Sequence, residues 1–510
     1  MIAVAVMLGT ALEVLDNSIV NVALPHLQGS FSAGVDEITW VVTSYLVANG
    51  IMIPMTGWIS SHFGRKRYFL TSVLLFITAS AMCGAAQSLT QIVIFRLVQG
   101  AAGAAMMPSS QAILMETFPP EEQQLAMALW GMGLLVAPIV GPTLGGWITD
   151  NWSWRWNFYI NIPIGAVAFL MVSAFVHDPP FMRERQAKGG KTDYAGITFL
   201  ALSLGLLQIV LDRGQRADWF SAPWVVYATG FSAASFILLV VRELSFSEPI
   251  LDLRIFREKV FVVATGLTVS VSFVLFGVIL MTPLFLQELL GYSAWKAGLT
   301  LAPQGLAAMF AMMMTGQLSR AGLNTRSMVG LGFALASLGC WLTAGWDLQV
   351  STATVVWNRV VMSLGFGMIF PITSAAALSC VPRHRIGYAS SLFNMLRNTG
   401  AAIGIAFMTN TLLSRQQVHQ SRLVEHFSVF DAWRLHNLGQ HLPGSPVFSY
   451  LPGPSRGHEQ LGMLYGVVQA QSAMLSFNDI YWVIALAVIP LIPFCMLLPS
   501  SKSVISSPAH

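Results

Sequence analysis

Fourteen apolar stretches divide the chain, each about the length a helix needs to cross the roughly 30 Å hydrocarbon core of a bilayer. Their approximate spans are 2–24, 38–59, 68–86, 91–114, 123–148, 158–177, 194–211, 223–241, 260–284, 297–318, 328–345, 352–379, 387–413 and 479–498. This pattern leaves few folds open. A chain in lipid must satisfy its backbone hydrogen bonds internally, which only helices and closed barrels do. Stretches of this length predict an all-α polytopic membrane protein. The charge content agrees, at 10% of 510 residues against roughly 25% in a soluble domain. The first stretch begins at Met1 with no basic flank and no small-residue cleavage site, which predicts a permanent helix and not a leader.

Lys and Arg in the loops orient the helices. With the N-terminus in the cytosol, the inner loops and C-terminal tail hold sixteen: Arg65, Lys66, Arg67, Arg183, Arg185, Lys188, Lys191, Arg242, Arg254, Arg257, Lys259, Arg320, Arg326, Arg383, Arg385 and Lys502. The short outer loops hold four, Arg155, Arg213, Arg216 and Lys296. Both termini are therefore expected in the cytosol. This bias accounts for the net charge of +4, so no nucleic-acid partner is inferred. Cys83, Cys340, Cys380 and Cys495 lie in or at the ends of apolar runs without paired spacing, so neither disulfides nor a metal site is expected. The large polar segment 414–478 is rich in Gly, Pro and Ser around Leu442–Gly457, then compatible with a helix from Glu459 to Phe477. Its histidines, His419, His426, His436, His441 and His458, are irregularly spaced. It reads as a solvated outer loop that contacts a partner or lids a cavity.

The chain also repeats itself. At a constant offset of 263, Arg96 falls on Arg359, Pro108 on Pro371, Pro119 on Pro382, Ala126 on Ala389 and Gly141 on Gly404. At an offset of 259, the loop Gly57–Arg67 falls on Gly316–Arg326. The fourth stretch thus matches the twelfth, which predicts six helices, two extra helices and six more. The implied boundaries are 1–177, 178–255 for the two linking helices, and 256–510, which includes segment 414–478. Parallel six-helix repeats are one plan on which secondary transporters are built.

Ionisable side chains inside lipid are costly and mark function by default. Glu13, Asp16, Arg96, Arg359 and Arg397 lie well within apolar stretches. On the first stretch Glu13, Asp16, Asn17 and Asn21 share an arc of about 140° at about 100° per residue, a polar face that should look into the protein. Two poorly hydrated carboxylates three residues apart suit a site that gains and loses a proton near neutrality. The competing reading is a structural pair hydrogen-bonded to neighbouring helices. A buried guanidinium keeps its proton, so Arg96 needs a carboxylate, either Asp16 or Glu13. Protonating that partner would free the arginine and link proton occupancy to helix packing. Arg397 and Arg359 either serve similarly in the second half or snorkel or cap a neighbouring helix.

The fifth stretch contains Ala137-Pro-Ile-Val-Gly-Pro-Thr-Leu-Gly-Gly146. Gly141, Gly145 and Gly146 remove side chains from one face and allow another backbone to approach. Pro138 and Pro142 each remove a helix hydrogen bond and permit a bend. The loop Gly57-Trp-Ile-Ser-Ser-His-Phe-Gly-Arg-Lys-Arg67 reads as a gate that pins two helices through Gly57, Gly64, Arg65 and Lys66. Trp40, Tyr45, Asn49 and Gln111 are the polar and aromatic residues expected in a largely apolar substrate cavity.

These motifs carry a resemblance. Leu15-Asp-Asn-Ser-Ile-Val-Asn-Val-Ala-Leu-Pro25 resembles the helix-1 motif of the fourteen-helix drug/proton antiporters of the major facilitator superfamily. Gly57…Arg67 resembles that superfamily's loop 2–3 motif, and Arg96-Leu-Val-Gln-Gly its helix-4 motif, implicated in proton transfer. Gly141-Pro-Thr-Leu-Gly-Gly146 is similar to the helix-5 antiporter motif, which symporters and uniporters generally lack. Trp154-Arg-Trp-Asn-Phe-Tyr-Ile-Asn-Ile-Pro-Ile-Gly165 and Leu211-Asp-Arg-Gly-Gln-Arg-Ala-Asp-Trp-Phe220 add to the likeness, which is of EmrB/QacA type and nearest to the EmrB members. Three positions depart from the pattern: Ser61 stands where the loop motif usually has Asp, Ala137 replaces a glycine, and Ser18 replaces a threonine. The first weakens any charge relay through that loop.

The resemblance implies export of amphipathic drugs or other hydrophobic compounds in exchange for protons, by alternating access, in a bacterial inner membrane. It also implies a tripartite pump, with a periplasmic adaptor protein and an outer-membrane channel, and a short tail ahead of the first helix. The alternative is a transporter of the same fold exporting one endogenous solute, such as a fatty acid or siderophore. An enzyme is not expected, because the chain has no Gly-Lys-Ser/Thr phosphate loop, no His-Glu-x-x-His and no Gly-x-Ser-x-Gly. No cofactor is expected, and the energy source is an ion gradient.

Overall fold

The computed structural model describes residues 1–178, 193–246, 249–320, 323–425 and 456–498, and no strand occurs among them. A long helix lies on each expected stretch: α1 (Ile2–Phe31), α2 (Trp40–Phe63), α3 (Arg65–Ala85), α4 (Leu89–Thr117), α5 (Pro120–Asn151), α6 (Trp156–Phe175) and α7 (Tyr194–Arg213). They continue as α8 (Pro223–Ser245), α9 (Lys259–Leu284), α10 (Ala294–Arg320), α11 (Thr325–Thr343), α12 (Thr352–Ser379), α13 (Ile386–Glu425) and α14 (Arg456–Val488). Among the described residues, ten helices are both long and apolar enough to cross a membrane.

Local chemistry sets the helix starts, and the repeat extends to it. Ser88 caps α4 by accepting the Gln91 N–H at 3.3 Å. Ser351, its equivalent in the repeat, caps α12 by accepting the Thr354 N–H at 3.1 Å. Each hydroxyl satisfies a backbone donor that a helix start leaves without a partner. Pro120 and Pro223 open α5 and α8, where the missing N–H costs nothing. Three features were not foreseen. A turn at Ala104–Ala105 interrupts α4. Helix α13 runs 40 residues, about 60 Å at 1.5 Å per residue, so the polar segment begins as helix and not as loop. Helix α14 ends at Val488, ahead of Pro490 and Pro493.

Helix α1 packs on α5 and α6, and α4 on α2 and α3. In the second group α12 packs on α9, α10 and α11, while α13 packs on α9 and α14. The groups meet where α5 touches α10 and α12, and where α2 and α4 touch α13. Helix α7 packs on its partner α8 and also reaches α2 and α13, so the extra hairpin lies along the seam. Beyond the apolar part of α13, Arg415 and His419 each meet Asp479 of α14 at 2.7 Å. Of the other histidines in that segment, His426, His436 and His441, and the side chain of His458, lie outside the described residues.

Candidate functional site

Asp16 and Arg96 are both fully buried and form an ion pair between α1 and α4, Nη1 to Oδ2 at 2.5 Å. Two side-chain amides complete the carboxylate's shell: Gln99 Nε2 donates to Oδ1 at 2.9 Å and Asn161 Nδ2 at 2.6 Å. Arg96 also donates through Nε to the Val41 carbonyl at 3.1 Å and through Nη1 to Gln99 Oε1 at 2.8 Å. The Tyr45 ring lies 4.2 Å from its guanidinium carbon. Every partner of Asp16 belongs to α1–α6. Breaking such a pair by removing one partner costs about 3–5 kcal/mol, because a bare charge stays buried.

Glu13 faces elsewhere. Its Oε1 accepts from Asn49 Nδ2 at 2.9 Å and its Oε2 has no hydrogen-bond partner among the described residues. Arg397, buried on α13, donates to Met107 Sδ at 2.5 Å and to Asn398 Oδ1 at 3.1 Å. No carboxylate among the described residues lies within 4.0 Å of Arg397 or of Arg359. Arg359 is fully buried, donates to the Tyr481 hydroxyl at 2.8 Å and sits 5.1 Å from the Trp346 ring. Among the described residues, the second half thus has no counterpart of the first half's ion pair, and aromatic rings, Met107 and Asn398 are the neighbours of its buried cations.

The glycines of α5 lie against α1, the helix that carries both carboxylates. A Cβ on Gly141 would stand 2.6 Å from Ser18 Oγ, one on Gly145 3.0 Å from Ile19 Cγ2, and one on Gly146 3.6 Å from Val22 Cγ1. Pro138 and Pro142 lie within α5, and their side chains are outside the described ones.

At the end of the bundle that carries Arg65–Arg67, the two groups of helices touch closely. A Cβ on Gly57 would stand 2.7 Å from Tyr388 Cα, and Ser61 Oγ lies 3.1 Å from the Tyr388 hydroxyl. Gly64 turns the chain between α2 and α3 at φ 91°, a conformation that disfavours a side chain. Arg65 pairs with Glu116 at the end of α4. Lys66 donates through Nζ to the Ser173 carbonyl at 2.6 Å and through its backbone N–H to Asp178 Oδ1 at 2.8 Å. Deeper in the seam, Gln111 Oε1 accepts from Asn394 Nδ2 at 2.6 Å and from Ser390 Oγ at 3.2 Å. Gln111→Leu leaves Asn394 Nδ2 only the Ser390 carbonyl, at 2.8 Å, and should loosen this end by about 1–3 kcal/mol. The readout is faster alkylation of a cysteine introduced at buried Ile113, and an unchanged rate would show that the contact carries no closing energy.

The four residues expected in a cavity are not brought to one place. Trp40 is 39% exposed, with Arg213 stacked 4.5 Å from its ring. Tyr45 packs on Arg96, Asn49 serves Glu13, and Gln111 lies in the inter-group contact.

The family model described as Major Facilitator Superfamily matches residues 6–405. The chain belongs to that superfamily. Among curated relatives, the multidrug export protein EmrB of Escherichia coli K12 is 33% identical over 486 residues, covering 94% of this chain and 92% of its own length. The fatty acid resistance protein FarB of Neisseria gonorrhoeae is 32% identical over 492 residues, covering 96% of this chain and 94% of its own length. Among solved structures, the human organic anion transporter MFSD10 (TETRAN) matches with a TM-score of 0.60 at 14% identity, covering 96% of this chain and 98% of its own.

This major facilitator chain brings in site residues that the sequence reading quoted inside motifs without singling out. Gln99 lies three residues after Arg96, so both face Asp16 from one side of α4. Asn161 comes from α6 and also donates to Ser80 Oγ at 3.0 Å. An amide inside an apolar run was the available signal for both. Glu116 had no such signal, since it stands at a helix end where acidic residues are ordinary.

Proposed function

We propose that this transporter expels amphipathic compounds in exchange for protons. Substrate enters from the cytosol or inner leaflet and leaves outward as the two halves rock about a central cavity. In this reading all fourteen helices span the inner membrane of a Gram-negative cell with both termini cytosolic. The halves divide at 1–177 and 256–510, with 178–255 as the linking pair. The observation that carries the proposal is the fully buried Asp16–Arg96 pair. A proton on Asp16 neutralises the carboxylate and weakens its hold on Arg96, so occupancy alters how α1 and α4 are joined. The name of the EmrB relative supports export, and in this reading a periplasmic adaptor and an outer-membrane channel complete the pump. A single endogenous solute of fatty-acid type is the second reading, favoured by the likeness to FarB.

Dye efflux in everted vesicles tests the energy source. An uncoupler that dissipates the proton gradient should stop efflux while ATP remains. Continued efflux, or dependence on sodium alone, would sink the proposal.

A further inference from the structure

The two carboxylates of α1 do not share one task. Asp16 is enclosed by Arg96, Gln99 and Asn161, all on helices of the first half, so its ionisation is answered within that half. Glu13, one turn earlier, looks toward the seam. Its Cγ lies 3.4 Å from where a Cβ on Gly103 would stand, just before the turn that interrupts α4. Immediately after that turn Met107 meets Arg397, which reaches across from the second half. Glu13 Oε2 and Arg397 Nε are both buried without hydrogen-bond partners among the described residues. The two groups are not in ion-pair contact, but their neighbours on α4, Gly103 and Met107, stand four residues apart, about one helical turn. At an effective dielectric of about 20, opposite charges still attract over several ångströms.

We propose that Glu13 is the carboxylate through which proton occupancy reaches the second half, and that Arg397 receives it. This rests on the proton-exchange reading above and adds a division of labour to it. Ionised Glu13 draws Arg397 toward the first half across that turn of α4. Protonated Glu13 releases that pull, and Arg397 keeps only Met107 and Asn398. The turn at Ala104–Ala105 lies between the two contacts, and its backbone stays in the right-handed helical region.

The other charged and titratable groups around Glu13 are few. Asp16 lies on its own helix, Tyr45 comes from α2 and Arg96 from α4. Helices α3 and α5 carry their charges at their ends, and α6 has none between Trp156 and Phe175. Among the described residues, Arg397 is thus the charge that the second half presents to Glu13.

The test reads movement between the halves without relying on transport. Spin labels at Phe63→Cys and Leu323→Cys, both exposed positions at the Arg65 end, report the separation of the halves in full-length protein in lipid nanodiscs. Cys380→Ser removes the one native thiol that is not buried. The distance distribution should shift between mildly acidic and mildly alkaline buffer. Glu13→Gln and Arg397→Gln should each abolish that shift, and Arg397→Lys should keep it. Asp16→Asn should keep it as well. Gel-filtration profiles identify any variant that fails to fold, and Arg397→Lys keeps the test decisive if Arg397→Gln does. A shift that survives in Glu13→Gln, a shift lost in Asp16→Asn, or no shift in the native chain would overturn the proposal. Uncoupler-sensitive efflux is scored separately, so the exchange reading can stand when this link fails, and can fail when the link stands.

Discussion

Asp16→Asn is expected to abolish gradient-driven export while the protein still inserts and binds substrate. Asparagine keeps the size of the side chain and one acceptor for Gln99 and Asn161, but it cannot take up and release a proton. It also leaves Arg96 fully buried without its counter-charge. Removing one partner of a buried pair destabilises by about 3–5 kcal/mol, so the variant should also unfold at lower temperature. Replacing both partners by apolar groups of similar volume is often neutral. Asp16→Asn combined with Arg96→Met should therefore recover much of the thermal stability and none of the transport. Efflux in everted vesicles, normalised to the amount of inserted protein, would be set beside melting curves of the purified protein. Full efflux by Asp16→Asn would remove Asp16 as the proton carrier and leave Glu13 in that role.

The helices were legible because lipid allows so little else. Length and apolarity place them, and an arginine in the middle of such a run must find a negative charge or other strong acceptors. That requirement left Asp16 and Glu13 open as partners for Arg96, and packing chose Asp16. Contacts between elements far apart in sequence were much less legible. Arg65 meets Glu116 rather than anything at position 61, where Ser61 instead faces Tyr388. Nothing local distinguishes Glu116 from any acidic residue at a helix end. The glycines of α5 announced a close neighbour, but period and composition do not say which helix it is. The ending of α13 was not legible for a different reason. The polar residues from Ser414 onward break the apolar run, and a hydropathy pattern cannot tell a helix leaving the bilayer from a loop.

Gly145→Leu is expected to shift the balance between inward and outward access by about tenfold or more, the consequence of a 1–3 kcal/mol penalty placed on one state. Even a Cβ at this position would lie 3.2 Å from Ile19 Cα, so a full leucine must push α1 away from α5. The repeat shows what accommodation would require. The second half keeps Gly141 as Gly404 but places Met408 where the first half has Gly145, and Gly277 of α9 makes room for the methionine side chain. Opposite Gly145 the first half offers Ile19 instead, so the leucine has nowhere to go. In this structure the contact is tight while the Arg65 end of the seam is closed. The penalty therefore falls on the closed state, and the Arg65 end should open more often. Single cysteines at the two ends of the seam, labelled in well-expressed protein, would show a higher ratio of labelling at the Arg65 end. If α1 and α5 instead move as one rigid body, the strain is equal in both states. It would then appear as poor expression with an unchanged ratio in whatever protein folds. An unchanged ratio with normal transport would make α5 ordinary packing and remove a main support for exchange as the mode of transport.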